Sequence, residues 1–190
     1  MAFWRGPHSG SLPSAFPSAL HHFLPYLDEA GAAAGFAVLA ASFIGPMQVA
    51  GRVAMMVSNR YILAHGVAVA ALLLMGLSLL VLMLVGGGTW PVAGFMLLFG
   101  GAYGTASIVR PLIARQVLGG RNFGARSGAL AMRCLAGAAH APYLGSLVWQ
   151  AGGYGLMLSL GAAMAFAGCG VHLIAHHLAR RAGRVGPAPA

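Results

Sequence analysis

Charge is scarce in this sequence, and negative charge is almost missing. Only 7% of the 190 residues are charged, 59% are hydrophobic, and the formal net charge is +9. A soluble domain usually carries about 25% charged residues, so this composition provides too few for a shell that faces water. The shortage excludes an ordinary soluble domain and predicts an integral membrane protein, with the lipid bilayer as its main solvent.

The two acidic residues, Asp28 and Glu29, are neighbours in the chain. No pair of carboxylates is therefore available deep in a membrane, and neither an aspartyl centre nor a His-Glu zinc motif is present. The sequence also has no nucleophile elbow and no phosphate-binding loop of the Walker type. We expect no enzyme, no catalytic residue and no cofactor.

Cysteine is rare as well, and lysine is absent. Cys134 and Cys169 both lie within apolar runs, so neither a disulfide framework nor a zinc site is indicated. His172 and His176 form an i, i+4 pair on one predicted helix face. No acid or cysteine completes a ligand set there, so no metal is expected.

What the sequence has in abundance is long apolar runs. Five are long enough for a spanning helix, which needs roughly 20 mostly apolar residues: 32–57, 62–85, 92–113, 128–149 and 155–178. A shorter run, 16–27, contains Pro17 and Pro25 and makes the count six only if it crosses. We predict an all-α polytopic membrane bundle over 16–181 with about six transmembrane helices, the first one short. An irregular segment, 1–15, precedes it, and a cytoplasmic tail, 182–190, follows.

All eleven strongly basic residues are arginines, and they collect in alternate turns. One group flanks the turn at 52–60, another lies at 115–126 and the last at 180–184, while the turns at 86–91 and 150–154 carry no charge. By the positive-inside rule, the basic turns and the C-terminus are cytoplasmic, which for a bacterial protein means the inner membrane. The arginines form no face interleaved with aromatic residues, so no nucleic-acid partner is expected.

Glycine recurs at four-residue spacing in three places, which permits close approach of helix backbones in lipid. The pairs are Gly31 with Gly35, Gly100 with Gly104, and Gly124 with Gly128. Together they predict a compact bundle held by helix packing.

Two candidate functional side chains lie in the run 128–149. Arg133 is about a third of the way across, where an arginine is costly unless it faces a cavity or a partner. It either faces an aqueous path, available to an anionic substrate or a carboxylate, or snorkels to the cytoplasmic interface. His140 follows seven residues later on the same helix face. It is either a proton relay or a buried neutral histidine held by a carbonyl.

Gln48 and Arg110 complete the candidate substrate path. Gln48 lies mid-helix near Pro46, which frees a backbone carbonyl, so its amide either faces a cavity or bonds to a neighbouring helix. Arg110 is closer to the cytoplasmic end and precedes Pro111. For Arg110, snorkelling or contact with a lipid phosphate competes with a place in the path.

Motifs in a fixed order resemble the C-terminal half of a major facilitator superfamily transporter over residues 19–181. They are SALHHFLPYL from Ser18, IGPMQVAGR from Ile44, GAYG from Gly101 with VRP from Val109, FGARSG from Phe123, APYLG from Ala141 and GGY from Gly152. The resemblance implies helices seven to twelve of a transporter whose halves rock around a midplane site that binds a small-molecule substrate. It also implies that 45–52 is the loop motif between helices eight and nine, although the usual acid of that motif is missing here.

The family normally has about twice this many residues, so the first six helices are not in this chain. Three explanations stay open: a fragment, which we favour, a half-transporter that pairs with a second copy of itself, or a split protein with a separate N-terminal half. The alternative function is a non-transporting membrane remnant or an assembly subunit held by helix packing.

Overall fold

The structure is a computed structural model that describes residues 21–58, 64–85, 88–118 and 123–181. Within these ranges the chain is almost entirely helical and contains no strand. The helices are α1 (Phe23–Glu29), α2 (Ala34–Ser58), α3 (Ala64–Val85), α4 (Thr89–Leu118) and α5 (Phe123–Arg181). The all-α prediction is confirmed for this part of the chain, whereas the predicted segment 1–15 and tail 182–190 lie outside the described residues.

Helix α5 has 59 residues and is divided by Gly152 and Gly153, whose backbones are not helical. Gly153 has φ 68° and ψ −169°, a conformation that is essentially restricted to glycine. We call the two limbs α5a (123–151) and α5b (154–181). Each has about 28 residues, or roughly 42 Å of helix, which exceeds the ~30 Å thickness of a bilayer core.

Four of the described helices, α2 to α5, are long and apolar enough to cross a membrane. They match the five predicted runs because α5 holds two of them, one in each limb. The arrangement is compatible with an integral multi-pass membrane protein. The predicted short first span is not shown, since α1 has only seven residues and 16–20 lie outside the described part of the chain. In place of the predicted six helices, the described residues contain four membrane-compatible helices. One of them, α5, contains two of the predicted runs.

One end of the bundle is basic. Met55 of α2, Val67 of α3 and Ile113 of α4 pack there in one apolar cluster. The rings of His65 on α3 and His172 on α5b lie 5.4 Å apart at the same end. Among the arginines at this end are Arg52, Arg110, Arg115 and Arg181.

The opposite end holds α1 and both acids. The buried Phe23 ring stacks on Phe95 of α4, with centroids 5.0 Å apart. The Tyr26 hydroxyl donates a hydrogen bond to the Leu82 carbonyl of α3 at 3.0 Å, and burial raises the pKa of this phenol above its ordinary value. Helix α1 thus caps α3 and α4 at this end, so the acids and the four arginines lie at opposite ends of the bundle.

Helices α2 and α4 cross at glycine-rich surfaces. A methyl group added at Gly51 would overlap the backbone of Gly101, and one added at Gly104 would overlap the backbone of Gln48. The Thr105 hydroxyl lies 3.1 Å from the Gly51 carbonyl oxygen on α2 and 2.9 Å from the Gly101 carbonyl oxygen on α4. Backbones this close gain dispersion contacts, which hold helices together where lipid provides no hydrophobic drive.

Among the three predicted glycine pairs, only the pair at 100 and 104 lies in such a contact. A methyl group added at Gly100 would lie 2.7 Å from the Met47 side chain of α2. The pairs at 31 and 35 and at 124 and 128 have nothing within 4 Å of an added methyl group, so they do not pack as predicted. Gly31 has a different role. Its φ of 75° lies in the left-handed region, which glycine adopts readily, and this conformation lets the chain turn from α1 towards α2.

Helix α3 lies between α4 and α5b. Its buried residues Met75, Leu79 and Leu82 belong to the same apolar core as Phe95 and Phe99 of α4. This arrangement leaves α5b packed on α3, while α5a makes few contacts with α4.

Candidate functional site

The limb α5a carries two of the four predicted path residues and is largely unpacked. Of its described side chains, only Ala141 and the Gly145 position are buried. Large apolar side chains along it are open, with Met132 exposed to 72%, Leu135 to 69% and Tyr143 to 64%. The limb therefore presents apolar surface to lipid or to another protein over most of its length.

His140 is exposed on α5a. Its Nδ1 lies 2.7 Å from the carbonyl oxygen of Ala136, one turn earlier on the same helix. Since a carbonyl only accepts, Nδ1 carries the proton in this bond, and the lone pair of the neutral ring is on Nε2. The carbonyl partner is present, but the histidine is exposed and not buried as predicted. Nε2 is the atom that would accept a proton in a relay, and that role stays a prediction.

Arg133 lies on α5a, but its side chain is outside the described part of the structure. Its position precedes His140 by seven residues, and two helical turns place both positions on the same face of α5a. The predicted place of Arg133 in a path stays a prediction.

Gln48 and Arg110 are on other helices. Gln48 is partly buried on α2, and its backbone forms the surface on which Gly104 packs. This gives its backbone a packing role, while the role of its amide group stays a prediction. Arg110 is exposed near the basic end of α4, three residues before the cluster residue Ile113, and its predicted snorkelling or place in the path stays a prediction.

The structure does not bring the predicted path residues to one described cavity. A shallow depression of about 460 Å³ lies beside α5b and is lined by Leu173, Ile174, His176, His177 and Leu178. A smaller one of about 190 Å³ lies at the acidic end, beside Tyr26 and Tyr154. Neither is lined by Gln48, Arg110 or His140, so these two depressions do not join the predicted path residues.

Three histidines lie close together at the basic end, although the sequence placed only two of them, His172 and His176, on a common face. His65 Nδ1 lies 3.4 Å from His172 Nε2, and the His65 and His176 rings are 4.2 Å apart. Among the described residues, no group of three His, Cys, Asp or Glu side chains is arranged to hold a metal ion. The spacing of His172 and His176 indicated a shared face, but nothing in the sequence indicated His65, which is 107 residues away from His172.

No protein-family model matches the sequence, and neither does any curated protein. The resemblance to the major facilitator superfamily therefore rests on the motifs alone, and the site has to be interpreted from its own geometry.

Proposed function

We propose that this chain is half of a small-solute transporter of the major facilitator type, which works by alternating access and without covalent chemistry. The observation that supports the proposal is the exposure of α5a, a membrane-length limb that carries Arg133 and His140. Such residues are costly in lipid unless they face water or a partner. A second set of helices laid against α5a would provide a packed surface and an aqueous path between the two halves.

In this arrangement, α2, α3 and α4 take the places of helices eight to ten, and the limbs of α5 take those of helices eleven and twelve. Residues 45–52, predicted as the loop between helices eight and nine, are helical and lie within α2 instead. The basic end faces the cytoplasm, because arginines are retained on that side of a cell membrane. The C-terminus lies on the same side. The second set of helices is the rest of a longer chain of which this is a fragment, a separate N-terminal half, or another copy of this chain.

The substrate path follows the face of α5a shared by Arg133 and His140. The guanidinium at 133 binds an anionic substrate or a carboxylate of the second half, because this chain has no acid at the same depth. His140 Nε2 is the proton acceptor on this face, and Gln48 contributes its amide where α2 borders the path. Arg110 lies at the cytoplasmic entrance.

The proposal is tested by cysteine accessibility in native membrane vesicles. Cys134 and Cys169 are replaced by alanine, and His140→Cys is compared with Leu135→Cys, which is also exposed on α5a but lies about 140° around the helix. A membrane-impermeant maleimide is expected to label position 140 at least tenfold faster than position 135, because only an aqueous path exposes a thiol in mid-membrane to water. Equal labelling of the two positions would contradict an aqueous path confined to the face of α5a that carries position 140.

A second experiment separates transport from the non-transporting alternative. Proteoliposomes are prepared with this chain alone and with the product of any neighbouring reading frame that encodes six further apolar runs. Uptake of labelled anionic solutes by the pair only identifies a split transporter, and uptake by the single chain identifies a half that pairs with itself. A folded bundle without uptake in either preparation supports a remnant or an assembly subunit.

A further inference from the structure

The acidic end of the bundle contains a second feature, which is independent of the proposed transport path. The chain has only two carboxylates against eleven arginines, and both lie at this end, after the tyrosine of α1. The described residues form no ion pair with Glu29, whose side chain is exposed. A negative charge is therefore available at this end of an otherwise basic protein.

Aromatic rings surround the same place. The Tyr26 and Tyr154 rings are 5.6 Å apart and almost perpendicular, at 83°. Trp149, just before the break in α5, lies 6.0 Å from Tyr154 with an interplanar angle of 45°. The Tyr26 ring is fixed by its hydrogen bond to Leu82 of α3, so the first two rings hold their relative orientation.

The two tyrosines and the carboxylate line one depression. Its volume is about 190 Å³, and Tyr26, Glu29, Ala30, Tyr154 and Gly155 form its walls. No arginine is among these residues. The arginines named above, Arg52, Arg110, Arg115 and Arg181, lie at the basic end of the bundle, opposite this depression. The depression thus combines two tyrosines and one carboxylate, and no arginine is among its described lining residues. The His22 ring lies nearby, 6.4 Å from the Tyr154 ring.

We propose that this depression is a binding site for a small organic cation of the quaternary or tertiary ammonium class. Aromatic rings at an angle to each other attract a cation through their quadrupoles, and they bind a weakly hydrated ammonium better than a strongly hydrated metal ion. The Glu29 carboxylate, which lines the same depression, adds a Coulomb attraction for an ion seated there against the tyrosine pair. An anion is disfavoured here because Asp28 and Glu29 repel it.

The test uses choline and its uncharged carbon analogue, 3,3-dimethylbutan-1-ol, with the full chain in a non-ionic detergent. Binding is followed by ligand-observed NMR titration, which suits weak complexes. Choline is expected to bind about tenfold more tightly than the uncharged analogue, since only the cation gains from the rings and the carboxylate. Equal affinity of the two compounds, or no binding of choline, would overturn the proposal.

Three substitutions assign the site. Tyr154→Leu is expected to weaken choline binding about tenfold, while Tyr154→Phe, which keeps the ring, leaves it unchanged. Glu29→Gln is expected to weaken binding only about two- to fivefold, because an exposed charge is screened by water and salt. Glu29 is exposed, so this variant remains informative if Tyr154→Leu fails to fold. Unchanged choline affinity in Glu29→Gln would refute the assignment of the carboxylate and with it the proposed site.

Discussion

Replacing Gly51 with alanine should separate helices α2 and α4. The added carbon would lie 2.8 Å from both the Cα and the carbonyl carbon of Gly101, whereas ordinary contacts begin at 3.4 Å. The neighbour is backbone and has no rotamer by which to move aside, and its carbonyl oxygen is closer still to the added carbon, so the helices must part by more than roughly 0.6 Å. The hydrogen bond from Thr105 to the Gly51 carbonyl, now 3.1 Å long, would lengthen with them.

A gap of this size is expensive because the crossing depends on close contact. A separation of about 0.5–1 Å forfeits a quarter to a half of the dispersion energy of each contact that spans it. Overpacking of a tight contact typically costs about 1–3 kcal/mol, which is about a 5- to 150-fold change in the unfolding equilibrium. We expect a loss in the upper part of this range for Gly51→Ala, and a similar loss for Gly104→Ala, which meets the backbone of Gln48.

The measurement is equilibrium unfolding in mixed micelles with increasing sodium dodecyl sulfate, followed by tryptophan fluorescence and circular dichroism. Gly101→Ala is the matched control, because Gly101 lies on α4 at the same crossing, three residues before Gly104, but an added carbon there meets nothing within 4 Å. This control should change the free energy of unfolding by less than about 0.5 kcal/mol. If Gly51→Ala and Gly104→Ala unfold at the same detergent fraction as Gly101→Ala, the close crossing of α2 and α4 is wrong.

Three further substitutions give graded outcomes in the same assay. Tyr26→Phe removes the hydrogen bond to Leu82 and should cost about 0.5–1.5 kcal/mol. Gly76→Ala brings a carbon within 2.9 Å of the outer edge of the Phe166 ring, which is 38% exposed and free to turn, so the loss should stay below about 1 kcal/mol. Gly153→Ala forces a side chain on to a backbone with φ 68° and should cost about 1–3 kcal/mol.

Each of these has its own check. For Tyr26→Phe, the comparison is Tyr143→Phe, whose ring is 64% exposed on α5a and should be neutral. A loss for Gly76→Ala as large as that for Gly51→Ala would mean that the Phe166 ring is held as rigidly as backbone. A neutral Gly153→Ala would contradict the described break in α5.

The lengths and limits of the helices were largely predictable, and their partners were not. Apolar runs of about 20 residues and the sequence around Gly152 report on local structure, which depends on hydrophobicity and on glycine. The choice of one glycine pair out of three depends on which helix lies opposite, and sequence spacing carries no information about that. Only the fold shows that Gly104 meets Gln48 and that Gly124 meets nothing.

The candidate site was likewise predictable within one helix and unpredictable between helices. The shared face of Arg133 and His140 follows from the helical period alone, because both lie on one helix. The distance of Gln48 from that face depends on the packing of α2, which the sequence does not specify. The contact between His65 and His172 could not be predicted for the same reason, since the two residues belong to different predicted runs.

The uncharged break in α5 has a consequence for how the protein enters the membrane. Residues 150–155 carry no charge, so moving this turn through the hydrocarbon avoids the roughly 2.5–3.5 kcal/mol that each charged residue would add. The two limbs of α5 are joined by only two non-helical residues and are suited to insert together, as a helical hairpin. Helix α5b packs on α3, whereas α5a makes few contacts with the other described helices. Contacts of α5b with α3 therefore hold the sparsely packed limb α5a in the bundle.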